Sequence, residues 1–171
     1  RVGGEPLKSL RSIGEPKGGE SAQTLTMISE ITEAVCDMSL DKTGALIVIR
    51  QKDDLLFIIE NGIAVDANLS VSLLKNIFFK NAPLHDGAVI VEGNRIVAAK
   101  CILPVTQSDV PKDYGTRHRS AIGITEITDA VVVVVSEESG AISIVKAGQI
   151  KHNVDPQRLG FALKKALGQQ K

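Results

Sequence analysis

The sequence predicts a single domain of the α/β (α+β) class, with a mixed parallel and antiparallel central sheet of about six or seven strands flanked by helices. Three observations favour this class. Short apolar runs rich in Val, Ile and Leu alternate with segments whose apolar residues recur every three or four positions. Some runs are joined by tight turns, which force antiparallel pairs, whereas helical crossovers permit parallel ones. The 171 residues are enough for one well-buried core and few for two.

The first part of the chain contains a predicted connector, a helix and two strands. Residues 1–21 are rich in glycine and proline and are predicted to be a connector, with the domain in residues 22–171. Apolar residues spaced three and four apart predict a helix that should end before Gly44; they are Ile28, Ile31, Val35 and Met38. Residues 45–50 are uninterrupted apolar residues up to an arginine, typical of a strand covered on both faces. Residues 55–60 are predicted to be a second strand, paired with the first as a hairpin.

The middle of the chain predicts a helix and then a hairpin. Asp66 or Asn68 is placed to cap a helix that buries a stripe, namely Leu69, Leu73, Leu74, Ile77 and Phe78. That helix should end before Pro83, because proline lacks a backbone N–H donor and restricts the residue before it. Residues 88–91 and 95–102 are predicted to be paired strands joined by a tight Gly-Asn turn, and a polar loop follows over 104–113.

The last part of the chain predicts a helix, further strands and a closing helix. Thr116 or Arg117 begins the helix, and the valine-rich run 130–135 has the composition of a central strand. A turn and the strand 141–146 follow, with one more short pairing at 149–152. Asp155 and Pro156 are a strong helix start, and the buried stripe of that helix is Leu159, Leu163 and Leu167.

Composition narrows the function classes. Twenty basic and twenty acidic side chains cancel, so no overall field attracts nucleic acid, and we expect no nucleic-acid partner. Any phosphate site must therefore be local. No apolar run approaches the ~20 residues that span a bilayer. Cys36 and Cys101 form no Cys-x-x-Cys pair, which favours free thiols over a disulfide.

Two stretches carry potential chemistry. Asp86 and Gly87 lie where a turn enters a strand, and a carboxylate there could hold a cation. Asp-Gly is also a common turn, so a purely structural role stays open. Residues 115–119 place a hydroxyl and two guanidinium groups at a helix start, where backbone N–H groups and arginine can bind phosphate. A solvated basic turn is the alternative, and His118 is favoured as a hydrogen-bonded structural histidine.

A third stretch and several absent motifs complete the candidates. Ser136, Glu137 and Glu138 follow the valine-rich strand, where acids could complete a cation site or merely form a charged turn. No phosphate-binding P-loop and no dinucleotide fingerprint is present in the sequence. The zinc-protease and serine-hydrolase signatures are missing too. Residue chemistry alone therefore predicts a possible metal-phosphate site.

At these residues the chain resembles the diadenylate cyclase domain, a bacterial enzyme class that condenses two ATP into cyclic di-AMP. The resemblance covers roughly residues 24–167 and depends on Asp86-Gly87-Ala88 and Arg117-His118-Arg119 with their flanking residues. The layout is similar to the membrane-anchored type. That resemblance implies an upstream transmembrane segment outside this chain, a chain that is itself soluble, and a full-length protein on the cytoplasmic side of the bacterial membrane.

The resemblance also implies roles for individual residues. Asp86 and Glu138 would hold Mg²⁺ or Mn²⁺, with Asp86, Arg117 and Arg119 as the catalytic set. The nucleotide-binding residues would be Gly87, Ala88, Leu103, Thr116, Arg117, His118, Ser136 and Glu137. Each chain would bind one ATP, and a homodimer would be needed for catalysis. Ile102 stands where the family often has an aromatic residue, and the 106–113 loop is a residue short. A non-catalytic ATP or cyclic di-AMP binding module is the alternative function.

Overall fold

A computed structural model of the protein describes residues 21–169. The predicted connector therefore lies outside the described residues, apart from Ser21. Within the described part, no helix combines the length and the apolar character that crossing a membrane requires.

Residues 21–169 form a seven-stranded sheet with helices on both faces. The strands are β1 (Ala45–Ile49), β2 (Ile63–Asn68), β3 (Ala88–Glu92), β4 (Arg95–Cys101), β5 (Val131–Val135), β6 (Ile142–Lys146) and β7 (Gln149–Lys151). The helices are α1 (Ala22–Leu40), α2 (Leu56–Ile59), α3 (Val71–Phe78), α4 (Thr116–Ile127) and α5 (Leu159–Ala166), with a 3₁₀ turn at Pro156–Arg158 ahead of α5.

The strand order is β2-β4-β3-β1-β5-β6-β7. β1 runs parallel to β3 and antiparallel to β5, and the other neighbouring pairs are antiparallel. The mixed sheet and the single domain are therefore confirmed. The predicted β3–β4 hairpin, α4, the three C-terminal strands and the closing helix are confirmed as well.

The core has two layers because strand side chains alternate between the two faces of the sheet. Ala45, Ile47 and Ile49 pack with α1, α3 and α5 on one face. Leu46 and Val48 pack with α2 and α4 on the other. All five residues of β1 are buried, which explains why that strand is an apolar run without alternation.

The predicted strand at 55–60 is wrong. Leu55 and Ile58 are buried whereas Leu56 and Phe57 are exposed, and Leu56–Ile59 forms α2. An apolar run this short has no periodicity that separates a strand from a helical turn. The predicted hairpin between residues 45–50 and 55–60 is wrong as well, because the neighbours of β1 in the sheet are β3 and β5.

The predicted cap of α3 is also wrong. Asp66 and Asn68 belong to β2, an edge strand that sequence reasoning missed because most of its residues are exposed. Ser70 is the N-cap, and its hydroxyl accepts a hydrogen bond from the Leu73 amide at 3.0 Å. Leu69 precedes the helix. Asp66 instead accepts hydrogen bonds from Arg95.

Strand direction brings distant parts of the chain to one edge of the sheet. Since β1 is parallel to β3 and antiparallel to β5, the starts of β1 and β3 lie beside the end of β5. The end of β4 joins them, because Ala88 pairs with Cys101. Neighbouring strands are about 4.8 Å apart, so the backbones before β3 and after β5 are separated by about 10 Å, two strand spacings. We call this the site edge.

Candidate active site

A cavity of about 720 Å³ opens at the site edge. It is lined by six of the predicted site residues, namely Asp86, Gly87, Leu103, Thr116, Arg117 and Glu137. A second cavity of about 310 Å³ is lined by His118, Ser136 and Glu138 and shares Thr116, Arg117 and Glu137 with the first. The fold therefore places predicted residues from four separate stretches around two adjoining cavities.

Two predicted residues line neither cavity. Ala88 is fully buried in β3 and packs in the core. Arg119 donates from Nε to the Tyr114 carbonyl at 3.2 Å. That contact joins α4 to the loop before it, so the geometry of Arg119 fits loop support rather than direct contact with a ligand.

Asp86 and Gly87 form the turn into β3. Asp86 is exposed, and no other side chain among residues 21–169 is hydrogen-bonded to it, so its carboxylate is open to a cation. Gly87 has φ of 139°, and a Cβ built on it would lie 2.7 Å from the Lys100 carbonyl carbon. Only glycine permits this close approach of the turn to β4.

His85 lines the larger cavity beside Asp86, and residue patterns alone assign it no role. Its Nδ1 lies 2.6 Å from the Ala82 carbonyl oxygen, which can only accept a hydrogen bond. The neutral ring therefore carries its proton on Nδ1 and leaves a lone pair on Nε2. Adjacency to Asp86 was the available signal for this residue.

Asn61, which sequence reasoning missed, lines the larger cavity and holds the backbone that follows β4. Its side-chain amide donates to the Ile102 carbonyl at 3.0 Å and accepts from the Ile102 N–H at 2.8 Å. Leu103 follows directly, and within residues 21–169 its backbone N–H and carbonyl make no hydrogen bond. These two groups are free to bind a planar heterocycle edge. No short motif marks Asn61, because its partner is distant in sequence.

The N-terminus of α4 faces both cavities through Thr116. Gly115 is the N-cap and supplies no side-chain hydrogen bond to the first turn. The first N–H groups of the helix therefore lack a side-chain cap, and together with the helix dipole they favour an anion.

Arg117 projects from this first turn and pairs with Glu137, with Nη1 and Oε2 2.9 Å apart. The hydrogen bond from Arg117, followed by the charge of Arg117, lowers the pKa of Glu137. Glu137 therefore stays ionised and orients the guanidinium group. Glu137 also lines both cavities, so its contact with a nucleotide stays a prediction.

His118 is buried, with 5% of its surface exposed, and neither ring nitrogen has a hydrogen-bond partner within residues 21–169. The expectation of a hydrogen-bonded histidine is therefore wrong. Its ring stacks on Tyr114 at 5.3 Å and meets His152 at 5.7 Å. Burial is the main cause that lowers the pKa of His118. The charges of His152 and Arg117 lower this pKa further, and the charge of Asp113 raises it. The ring is held neutral near pH 7 by packing.

The acids at the end of β5 are the other half of the predicted cation site. The Ser136 hydroxyl accepts hydrogen bonds from the Glu138 and Ser139 amides at 3.3 Å and so shapes this turn. Within residues 21–169, no cluster of three or more His, Cys, Asp or Glu side chains could hold a metal alone. Asp86 lines the larger cavity and Glu138 lines the smaller one. An ion such as Mg²⁺ commonly takes only one or two carboxylates and completes its shell with phosphate oxygens and water, so these two acids stay the predicted cation ligands.

Residues 32–150 match the family model described as DAC, DisA bacterial checkpoint controller nucleotide-binding. Cyclic di-AMP synthase CdaA of Bacillus subtilis is 44% identical over 141 residues, which are 82% of this chain and 51% of the relative. The chain thus spans about half the length of that curated relative.

Two solved structures are similar in fold. DacA of Staphylococcus aureus, solved as a double mutant, has a TM-score of 0.82 and 40% identity, and the match covers 86% of this chain and 99% of that one. A hypothetical membrane spanning protein from Bacillus cereus has a TM-score of 0.72 and 44% identity, and the match covers 74% of this chain and 63% of that one.

Proposed function

We propose, from the premise that this chain belongs to the DAC (DisA bacterial checkpoint controller nucleotide-binding) family, that it is a diadenylate cyclase. The reaction condenses two ATP into cyclic di-AMP and releases two pyrophosphates. One observation carries the proposal: the uncapped N-terminus of α4, Arg117 and Asp86 face one cavity of about 720 Å³. That volume is in the range of nucleotide-sized ligand sites.

The adenosine part of ATP would occupy the larger cavity. The free backbone groups of Leu103 would bind the edge of adenine, which needs one donor and one acceptor side by side. Leu46 and Ile102 supply apolar wall on which the base can lie. Since Ile102 is aliphatic, base binding here depends on hydrogen bonds and apolar contact rather than on aromatic stacking.

The triphosphate would extend toward the smaller cavity. Backbone N–H groups at Thr116 and the guanidinium group of Arg117 would bind phosphate oxygens, and the Ser136 hydroxyl can donate to them while its oxygen caps the turn. These fixed donors would stabilise charge that develops on the transferring phosphoryl group. A Mg²⁺ or Mn²⁺ ion held by Asp86 and Glu138 would neutralise phosphate charge.

Catalysis would require a second copy of the chain. Each chain binds one ATP, and in a face-to-face homodimer the 3′-hydroxyl of one nucleotide attacks the α-phosphorus of the other, so that pyrophosphate leaves. Asp86 would lie near the attacking hydroxyl. The mouth of the cavity supports such an interface, because Ile102 and Ile63 are 71% and 51% exposed there. Holding the two nucleotides together would supply about 7–11 kcal/mol of the barrier reduction.

The test is incubation of the purified chain with ATP and Mn²⁺ or Mg²⁺, with cyclic di-AMP detected by mass spectrometry. Asp86→Asn should abolish product, whereas Glu33→Gln, at an exposed acid on α1, should leave it unchanged. Absence of product at high protein concentration, with ATP binding demonstrated, would contradict the proposal. Tight binding of cyclic di-AMP without turnover would then favour a binding module.

We also propose that the full-length protein is anchored to the membrane with this domain on the cytoplasmic side. The similar Bacillus cereus protein is described as membrane spanning, and relatives are longer than this chain, which supports the proposal. Fractionation of cells expressing the full-length protein, followed by protease protection, tests both parts. Recovery of the full-length protein in the soluble fraction would contradict it.

A further inference from the structure

We infer that Gly44 is a positioning residue for Arg117: the missing side chain leaves a flat patch of backbone on which the guanidinium group lies. The catalytic consequence rests on the proposed function, whereas the contact itself does not.

The distances from a Cβ atom built on Gly44 define the contact between Gly44 and the Arg117 guanidinium group. A Cβ built on Gly44 would lie 2.5 Å from Cζ and Nη1 of Arg117 and 2.9 Å from Nη2. All three of these nearest atoms belong to the guanidinium plane. The group therefore packs against the glycine backbone within the space that any other residue would fill.

The backbone itself does not require glycine at this position. Gly44 is absent from the glycines with positive φ, which are Gly87, Gly93, Gly140, Gly148 and Gly168. It is buried immediately before β1, at the site edge. Since an L-residue can adopt its conformation, the contact with Arg117 is the physical reason for glycine here.

Arg117 occupies the point where three cavities adjoin. It lines the two cavities described above and a third, of about 440 Å³, which Gly44 also lines. Glu137 fixes Nη1 from one side, and Gly44 supports the flat face of the group. A long side chain restrained in this way has its remaining donors preorganised, so less rotamer entropy is lost when phosphate binds.

Alanine at position 44 should displace the guanidinium group and leave the fold intact. Ordinary van der Waals contact needs at least about 3.4 Å, so Cζ must move by about 1 Å. The atoms that move are the far end of a flexible side chain. A 1 Å misplacement at a catalytic group can cost about 100-fold in rate, and we expect a 10- to 100-fold loss of kcat.

The experiment compares Gly44→Ala with Gly160→Ala, a control in α5 where the nearest atom to the new Cβ is 3.8 Å away. Steady-state formation of cyclic di-AMP gives kcat and KM. Binding of 3′-deoxy-ATP, which lacks the attacking hydroxyl, gives affinity without turnover. Gly44→Ala should lose kcat and affinity, and Gly160→Ala should match the parent.

A double-mutant cycle isolates the route through Arg117. If Gly44 acts by positioning Arg117, Gly44→Ala adds less than about twofold to the loss in an Arg117→Ala background. Multiplicative losses would show a separate structural effect and overturn the inference. Unchanged kcat and affinity in the single variant would also overturn it.

A crystal structure of Gly44→Ala separates this inference from the proposed function. A displaced guanidinium group supports the positioning role even if the parent forms no cyclic di-AMP, in which case only the proposed activity fails. A guanidinium group in its original place beside the substituted position would overturn the inference whatever the activity.

Discussion

Replacing Gly87 by alanine should destabilise the domain at the site edge. Gly87 has φ of 139°, a backbone region that is nearly exclusive to glycine, and forcing alanine into it costs about 1–3 kcal/mol. The new Cβ would also lie 2.7 and 2.8 Å from the carbonyl carbon and Cα of Lys100. These are backbone atoms of β4, so relief requires the β3–β4 pair to separate. Overpacking of this kind adds about 1–3 kcal/mol.

Urea unfolding followed by circular dichroism measures the effect. We expect a loss of about 3–5 kcal/mol in unfolding free energy, a large share of the 5–15 kcal/mol typical of domains. At about 2–4 °C per kcal/mol, the melting temperature should fall by about 6–20 °C. Gly160→Ala is the matched control and should be neutral or stabilising, since its helical site has room for a methyl group. Equal stability of Gly87→Ala and the parent would refute the reasoning.

Three further predictions concern titratable groups. Glu137→Gln removes the ion pair with Arg117 and should change the unfolding free energy by less than about 1 kcal/mol, because the Glu137 side chain is 64% exposed and solvent screens the pair. A larger loss in urea unfolding would contradict this. Burial lowers the folded-state pKa of His118. The contribution of this histidine to the free energy of unfolding should therefore be full above about pH 6.5 and fall as the pH drops toward the folded-state pKa. In urea unfolding at several pH values, His118→Phe should flatten this pH dependence, and an unchanged pH dependence would exclude His118 as its source. Burial raises the pKa of Cys101 to about 11, so iodoacetamide at about pH 8 should leave this thiol unmodified in folded protein and alkylate it in guanidinium, as peptide mass spectrometry can show.

Much of the fold could be predicted because long or strongly patterned segments decide their own structure. The five valines of β5 and the apolar stripe of α1 correctly predicted a buried strand and a helix. The α2 segment failed because four apolar residues carry no reliable period, and β2 failed because an exposed edge strand lacks an apolar signature. Sheet order was beyond local reasoning, since β1 pairs with strands far along the chain.

The candidate site was predictable where a motif concentrates chemistry. Asp86 and Arg117 stand out from their sequence neighbours, and the structure places both on one cavity. Asn61 and Gly44 were missed because their significance lies entirely in distant partners, Ile102 and Arg117. An amide in a short helix-to-strand turn and a glycine before a strand are common in sequences, so neither attracts attention without coordinates.

The position of β1 between β3 and β5 has a consequence for how the domain forms during synthesis. Both hydrogen-bonding partners of β1 emerge from the ribosome after it, and the later one, β5, is separated from it by most of the domain. In a nascent chain these five apolar residues therefore have no strand partner until β3 has been translated, and one edge of β1 stays unpaired until β5 has been translated. This segment is the expected binding site for chaperones on stalled chains, since long-range pairing is slow and leaves such strands open to aggregation.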